Sequence, residues 1–469
     1  MIRKKKFCLL FIPVILLPGI KNVLSQSICL GFFNESSISN FSPEHITSAD
    51  FNNDGNVDLA TTNYTSNTVS ILLGNGDGTF GLPVNYVSGL NPSNIVTSDF
   101  NADGNADLSV SVEGAMLVYL GNGNGTLADS MKYYDGSLNP WPLTVVDFNN
   151  DSIPDILSSD YDFYHLWTWL GNGDGSFSQA IGSWTNESPC WLSVADFNND
   201  GFNDVVYTHN LPPWETIHSF SVIFGNGSGT FGNEVKVDSI PWPYYGLGGD
   251  VNNDNKMDVI VYSRINNNGY ISIYYGNGDG TFNLPSTNYP SQSDVCGIKW
   301  VDMNNDSMPD IVVVGTQVSV LPGMSDGTFD SSVFANGIFD TRSFTINDFN
   351  NDGFPDMVIT NYYNFDSTKL VVLLNCGTTG IESYSDESSV LIYPILLMGN
   401  DITVNMNDGQ NGSVTYMVAD LLGENLITQS TSVANGVMKI DLPDLVKGFY
   451  ILKVNFCGQL YTSKILKVR

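Results

Sequence analysis

Short apolar runs, rich in β-branched and aromatic residues, recur along almost the whole chain. One stretch shows the order: runs at 94–98, 108–112 and 116–120, the last leading into Gly121-Asn-Gly-Asn-Gly-Thr-Leu127. Runs of this length, broken by Gly, Asn and Asp, predict strands joined by turns. Beyond residue 25 no stretch carries the apolar spacing of an amphipathic helix. The fold class expected is all-β.

The gap between the first and second runs of each unit holds the same nine-residue loop, seven times over. Its polar positions 1, 3, 5 and 9 are Asp50, Asn52, Asp54 and Asp58 in the first loop, then Asp99, Asn101, Asp103 and Asp107. The third and fourth have Asp147, Asn149, Asp151 and Asp155, then Asp196, Asn198, Asp200 and Asp204. The fifth has Asp250, Asn252, Asp254 and Asp258. The last two have Asp302, Asn304, Asp306 and Asp310, then Asp348, Asn350, Asp352 and Asp356. The first aspartates lie 49, 48, 49, 54, 52 and 46 residues apart. Four strands in each such unit match the blades of a propeller. A Gly-rich element closes the third run at Gly74, Gly121, Gly171, Gly225, Gly276 and Gly323, and its Asn-Gly pair suits a tight hairpin. A phosphate cradle would need a helix to follow, and a strand follows instead.

The ends of the array fit a ring. The seventh unit stops after its third run, 370–374, while a spare strand-like segment begins at Leu30. Pairing the two would leave no open edge. On these loops and turns, residues 27–376 resemble the FG-GAP (VCBS) repeat family, the seven-bladed β-propellers of integrin α-chain heads, which implies cell adhesion. The resemblance implies up to seven structural Ca2+ ions, one per loop. The chemistry agrees: a hard cation wants six to eight oxygens on a tight turn. Positions 1, 3, 5 and 9 offer side-chain oxygens, position 7 a carbonyl, and position 9 would be the bidentate ligand. An EF-hand begins alike but needs Glu at position 12 and flanking helices. A metal-free Asx turn is the plainer reading, against which three carboxylates on one turn repel one another. Ser152 and Ser307 replace the position-6 glycine, and Lys256 beside Asn255 makes the fifth loop the weakest expected site.

Residues 1–25 read as a secretory signal peptide: Arg3 to Lys6, an apolar stretch broken by Pro13 and Pro18, and a small residue, Ser25, before Gln26. No transmembrane segment is expected after its cleavage. Residues 377–389 read as a polar linker and 390–469 as a small C-terminal β-sandwich. Asp420-Leu-Leu-Gly423, Leu445-Val-Lys-Gly448-Phe-Tyr450-Ile-Leu452-Lys-Val454 and the basic end resemble the type A C-terminal sorting domain of type IX secretion. That resemblance implies the secretion machinery as a partner and a secreted or outer-surface location on a Gram-negative bacterium.

A formal net charge of −31 argues against nucleic acid and anionic membranes as partners. Cys29 and Cys376 lie near the two ends that would meet, so a disulfide clasp is expected in an oxidising compartment. Cys190 and Cys296 hold equivalent positions two units apart, too far to pair. The four histidines come with no nucleophile motif or zinc spacing, and His209 and His218 flank Pro212-Pro213 as loop residues. In this family ligands meet the face opposite the calcium turns. Here the residues after Pro43, Pro92, Pro140, Pro189 and Pro243 are Glu44, Ser93, Trp141, Cys190 and Tyr244, unlike one another. The second-to-third run connections add Tyr161, Phe163, Tyr164, His165, Trp167, Trp214, Tyr362, Tyr363 and Phe365. Variable aromatic loops on a regular scaffold point to non-catalytic binding of a glycan or an extracellular protein; packing between blades is the bland account of the same rings. A glycan-specific lectin is one alternative, a polysaccharide-degrading enzyme another.

Overall fold

A computed structural model describes residues 30–37, 43–134, 142–160, 164–209, 219–238, 240, 242–266, 268–285, 288–330, 333–335, 341–363 and 367–375, and the strands with a few joining residues between 390 and 467. The leader, Cys29, Cys376, the 377–389 linker, Trp141, Tyr161, Phe163, Trp214, His218 and Phe365 lie outside the described residues. Among the described residues there is no helix.

Up to residue 375 the strands form seven antiparallel four-stranded sheets. The first takes four consecutive strands, Pro43–Ala49, Asp58–Asn63, Thr68–Leu72 and Val84–Val87, and the next five repeat that order. The seventh uses Thr341–Asn347, Asp356–Tyr363 and Ser367–Asn375, and its fourth strand is Leu30–Ser37 from the other end of the repeat array. The register runs from Leu30 opposite Asn375 to Ser37 opposite Lys369. The spare N-terminal segment and the third run of the seventh unit do pair, and the segment supplies the missing fourth strand.

The unbroken apolar runs have a physical cause. Successive strand side chains point to opposite faces, and here both faces are covered by a neighbouring sheet. Ile156 packs toward the second sheet with Met116 and Val118, whereas Leu157 packs toward the fourth with Val205 and Tyr207. Ile260 and Val261 divide the same way between the sixth and fourth sheets. One apolar cluster fills each seam between consecutive sheets. A further one, with Ile46, Leu59 and Leu72 against Phe349, Val358 and Val372, joins the first sheet to the seventh. Each fully buried Val, Leu, Ile or Phe in these clusters contributes about 1.5–3 kcal/mol.

Residue 2 of the loop seals each seam. Phe51, Phe100, Phe148, Phe197 and Phe349 are buried, with Val251 and Met303 taking the position in the fifth and sixth units. Phe349 meets Phe80 of the first unit edge-on at 5.7 Å, and Phe100 meets Phe177 of the third at 5.2 Å. The Gly-rich turn is therefore not a two-residue hairpin. Gly74 and Phe80 bridge across a longer loop that docks on the preceding unit, where Gly78 N–H donates to the Phe349 carbonyl at 2.9 Å. Gly74 must lack a Cβ because one there would sit 2.2 Å from the Val57 carbonyl oxygen.

The C-terminal segment forms two further sheets. One holds Val390–Tyr393, Asp401–Met406 and Val437–Asp441; the other holds Leu396–Leu397, Gly412–Ala419, Asn425–Val433, Gly448–Phe456 and Gln459–Lys467. Val414, Tyr416, Val418, Leu452 and Val454 are buried there.

Candidate metal loops and the opposite face

All seven loops close by the same hydrogen bonds. In the first, Asp50 accepts the N–H groups of Asp54 (3.2 Å) and Gly55 (2.8 Å) on its two oxygens. Asn52 Oδ1 accepts Asp54 N–H at 3.0 Å, Asp54 accepts Asn56 N–H at 2.8 Å, and Asn52 Nδ2 donates to Asp54 at 2.9 Å. These side chains sit at the exposed lip of the turn.

Position 9 differs. Asp58, Asp107, Asp155, Asp204, Asp258, Asp310 and Asp356 are all buried. Each carboxylate ties two strands of its sheet: Asp58 accepts Phe51 N–H at 2.8 Å and Gly74 N–H at 2.7 Å. In the seventh loop Asn375 N–H replaces the glycine donor to Asp356, at 2.7 Å. Both oxygens thus already carry a structural bond, and only their remaining lone pairs are open to a metal. Burial pushes Asp107, Asp155, Asp204, Asp258 and Asp310 up to about 6, and Asp356 up to about 7. The backbone N–H bonds oppose that rise, and the carboxylates at positions 1 and 5 add to it. At position 5, by contrast, the N–H of residue 7 holds Asp54 and Asp103 below the usual carboxylate range.

The donor set fits a hard cation. It is all oxygen, it stands on a tight turn, and its three carboxylates feel one another's charge. Among the described residues no three His, Cys, Asp or Glu side chains converge on one point as a ready cage. A cation would therefore draw on the mixed set of Asp50, Asn52 and Asp54 with backbone oxygen and Asp58. In the fifth loop Lys256 Nζ lies 4.0 Å from Asp254, a local competitor for that charge. Position 6 carries positive φ throughout, at Ser152 (68°), Ser307 (70°) and Asn255 (62°) as well as at the glycines.

Position 4 was not singled out from the sequence, although six of the seven loops have Asn there. Its backbone is left-handed, φ 56° at Asn53 and 57° at Asn351, and at Asn53, Asn150, Asn305 and Asn351 its amide crosses to the next loop. Asn53 Nδ2 reaches Asn105 Oδ1 at 2.7 Å, Asn305 reaches the Gly353 carbonyl at 2.7 Å, and Asn351 reaches Asn56 across the first-to-seventh seam at 2.9 Å. Ala102 holds the same backbone (φ 57°) without such an amide.

The first strand of every sheet runs toward its loop, so the loops and Gly-rich turns share one face. The starts of the first strands and the second-to-third connections share the other. There Tyr164, Trp184, Trp242 and Tyr244 are exposed, Trp184 by 73%. Trp167 is half-buried and stacks on His165, whose ring lies 5.0 Å from Trp167 and 3.8 Å from Trp184 between centroids. The aromatics thus divide between packing and display, and the exposed Trp184 and Trp242 were not singled out from the sequence.

The described histidines are not free bases in solvent. His209 is not a loop residue: it ends the strand Asp204–His209, buried between Ser219 Oγ (2.7 Å) and Ser221 Oγ (3.0 Å). The apolar run simply extends to the proline-containing connection. Burial pulls His209 down to about 3 and His45 to about 4. Cys190 and Cys296 are both free thiols.

A model of the FG-GAP-like repeat matches residues 50–110, 99–158, 147–207, 250–313 and 302–359, segments that contain every one of the loops. A model of the secretion system C-terminal sorting domain matches 398–468. No curated protein matches the chain. Among solved structures, one described as specific recognition of non-reducing terminal N-acetylglucosamine by an Agrocybe aegerita lectin is similar over 63% of this chain and 80% of its own, at 18% identity and a TM-score of 0.46. A functionally unknown protein from Desulfotomaculum acetoxidans is similar over 64% and 86%, at 10% identity and a TM-score of 0.44. The sorting domain implies interaction with the secretion machinery and a secreted or outer-surface location. Among the described residues no helix is long and apolar enough to cross a membrane. With the repeat matched over more than half its length, the chain belongs to the FG-GAP-like repeat family and carries a type IX secretion sorting domain.

Proposed function

We propose that the seven sheets close into a seven-bladed propeller, stiffened by Ca2+ in the loops, that presents its opposite face to a glycan or an extracellular protein without catalysing a reaction. The two C-terminal sheets would pack as the sandwich read by the secretion machinery. One contrast carries the reading: seven loops with the same bonding on one face, and dissimilar connections with exposed aromatics on the other. A regular face serves the scaffold, whereas an irregular face with displayed Tyr and Trp has the composition of a recognition surface. The calcium expectation rests on the loops' oxygen set and their uncompensated carboxylates.

A lectin proper is the second reading, favoured by Trp184, which is 73% exposed and leaves the ring surface turned away from His165 open to a sugar. The test is an array of glycans and extracellular proteins, run on the full chain with calcium and with chelator, with a product assay on every hit. Binding without turnover supports the reading. Turnover of a bound polysaccharide would replace it with an enzyme, and absence of any glycan or protein hit would reject it.

A further inference from the structure

The face opposite the loops holds a cavity of about 190 Å³ where the fifth, sixth and seventh units meet. Taking ~30 Å³ as the share of one water, that is room for roughly six waters, the scale of a single sugar ring. Its wall is built rather than incidental. The backbone of Asp294 presses so close on Gly315 that a Cβ there would lie 1.8 Å from the Asp294 carbonyl oxygen. Tyr262 Oη donates to the Ser293 carbonyl at 2.8 Å, Thr341 Oγ1 donates to the Gly315 carbonyl at 3.0 Å, and Thr316 N–H donates to the Asp294 carbonyl at 3.2 Å. These bonds fix both sides of the seam.

Three side chains give the cavity its chemistry. Arg264 from the fifth unit and Asp294 from the sixth pair across it at 3.2 Å, with side chains 32% and 60% exposed. Tyr244 lines the same cavity, its ring 41% exposed. Arginine presents a planar fork of donors and the carboxylate presents acceptors. Side by side, and already neutralised by each other, they suit a ligand whose neighbouring groups both donate and accept. The tyrosine ring offers an apolar plate at right chemistry for a C–H face.

Other ligand classes fit less well. An anion would approach a chain of net charge −31 and compete with Asp294 for Arg264. A cation at Asp294 would face Arg264 beside it. An apolar ligand would bury the pair without satisfying it. We infer that this cavity binds one neutral sugar residue through vicinal hydroxyls, held by Arg264 and Asp294 and stacked on Tyr244. The inference rests on the recognition-face reading and names its site.

The test uses the full chain and calorimetric titration with neutral monosaccharides (glucose, galactose, mannose and N-acetylglucosamine) beside glucuronate and glucosamine. At least one neutral sugar should bind, and the two charged sugars should bind at least 10-fold more weakly. Tyr244→Ala and Asp294→Asn should each weaken that binding at least 10-fold, while Leu82→Ala, 92% exposed beside the Gly-rich turn of the first unit on the loop face, should leave it unchanged. Circular dichroism and melting show whether each variant is folded, and Tyr244→Phe, which keeps the ring, should retain binding. Binding that survives both Tyr244→Ala and Asp294→Asn, or a stronger response to glucuronate, would overturn the cavity while leaving a binding face intact. No response to any neutral sugar would overturn it as well, and the protein arm of the array then decides separately whether the recognition face survives.

Discussion

The loops mix two jobs, and replacing Asp204 separates them from replacing Asp200. Asp204 accepts the N–H groups of Phe197 and Gly225, each at 2.9 Å, and is buried. In Asp204→Asn one amide oxygen replaces two carboxylate acceptors, and the NH2 group turns a donor toward an N–H donor. One buried N–H is then orphaned, at about 1–3 kcal/mol, and the surviving bond loses its charge assistance, about another 1 kcal/mol. The expected loss is about 2–4 kcal/mol. Asp200 is exposed: an amide oxygen can keep its bond from Phe202 N–H at 2.9 Å and only the exposed bond from Asn198 Nδ2, also 2.9 Å, is lost to water, so Asp200→Asn should cost less than about 1 kcal/mol without metal. Burial raises the Asp204 carboxyl to about 6, so urea unfolding at pH 7.5 keeps it ionised. Run in excess EDTA, that experiment removes any ligand role from the comparison. Repeated in calcium, Asp200→Asn should lose the metal's contribution too. If both variants are equally mild in EDTA, position 9 is not the internal fastener argued above.

Three further outcomes are expected. Chelation should lower the melting temperature markedly, because each site with free calcium at ~100 times its dissociation constant adds about 2.7 kcal/mol; an unchanged melt in excess EDTA rejects the metal. Ser152→Gly should raise stability by about 0.5–1 kcal/mol in urea, since serine at φ 68° bears a left-handed cost that glycine avoids, and a loss of stability contradicts that account. His209 disfavours its proton when folded, with its value pulled from 6.5 to about 3 by burial. The folded state therefore binds fewer protons than the unfolded chain between those values, so its stabilising effect is complete above pH 6.5 and is lost as pH falls toward 3. Between pH 7 and pH 4 the wild type should lose about 3 kcal/mol more than His209→Asn; parallel pH profiles would contradict the burial.

Much of the architecture was legible because it repeats. The loops, the Gly-rich turns and the orphan strand at Leu30 are local patterns, and a local pattern copied many times averages away ambiguity. What escaped is what acts between units. Position 4 looked like another turn asparagine, yet its amide spans a seam, and Ala102 at the same backbone angle shows that the angle alone does not require Asn. In the Gly-rich element the Asn-Gly pair signals only a hairpin. Its second purpose, docking Gly78 on the Phe349 carbonyl, depends on a residue hundreds of positions away. Of the cavity's three chemical groups the sequence points only to Tyr244, after Pro243; Arg264 and Asp294 are far apart in the chain and meet only through the fold. Cys29 and Cys376, the expected clasp, lie outside the described residues.

The same alternation that builds the seams also separates the faces. A strand buried on both sides has no side chains left to vary, so Ile156 and Leu157 are committed to opposite neighbours and every seam depends on the next. Variation is then affordable only at strand ends. At one end, Asp204 and its equivalents anchor the loop to two strands, and changing any of them orphans a buried N–H. At the other end the partners differ: Pro189 and Pro243 open strands that Val295 and Thr341 open elsewhere, and Arg264 of the fifth unit meets Asp294 at 3.2 Å while Arg342 of the seventh meets Glu44 of the first at 3.8 Å. A constrained end and a freer end on these strands is the physical reason to seek the proposed binding site opposite the loops, whatever occupies the loops themselves.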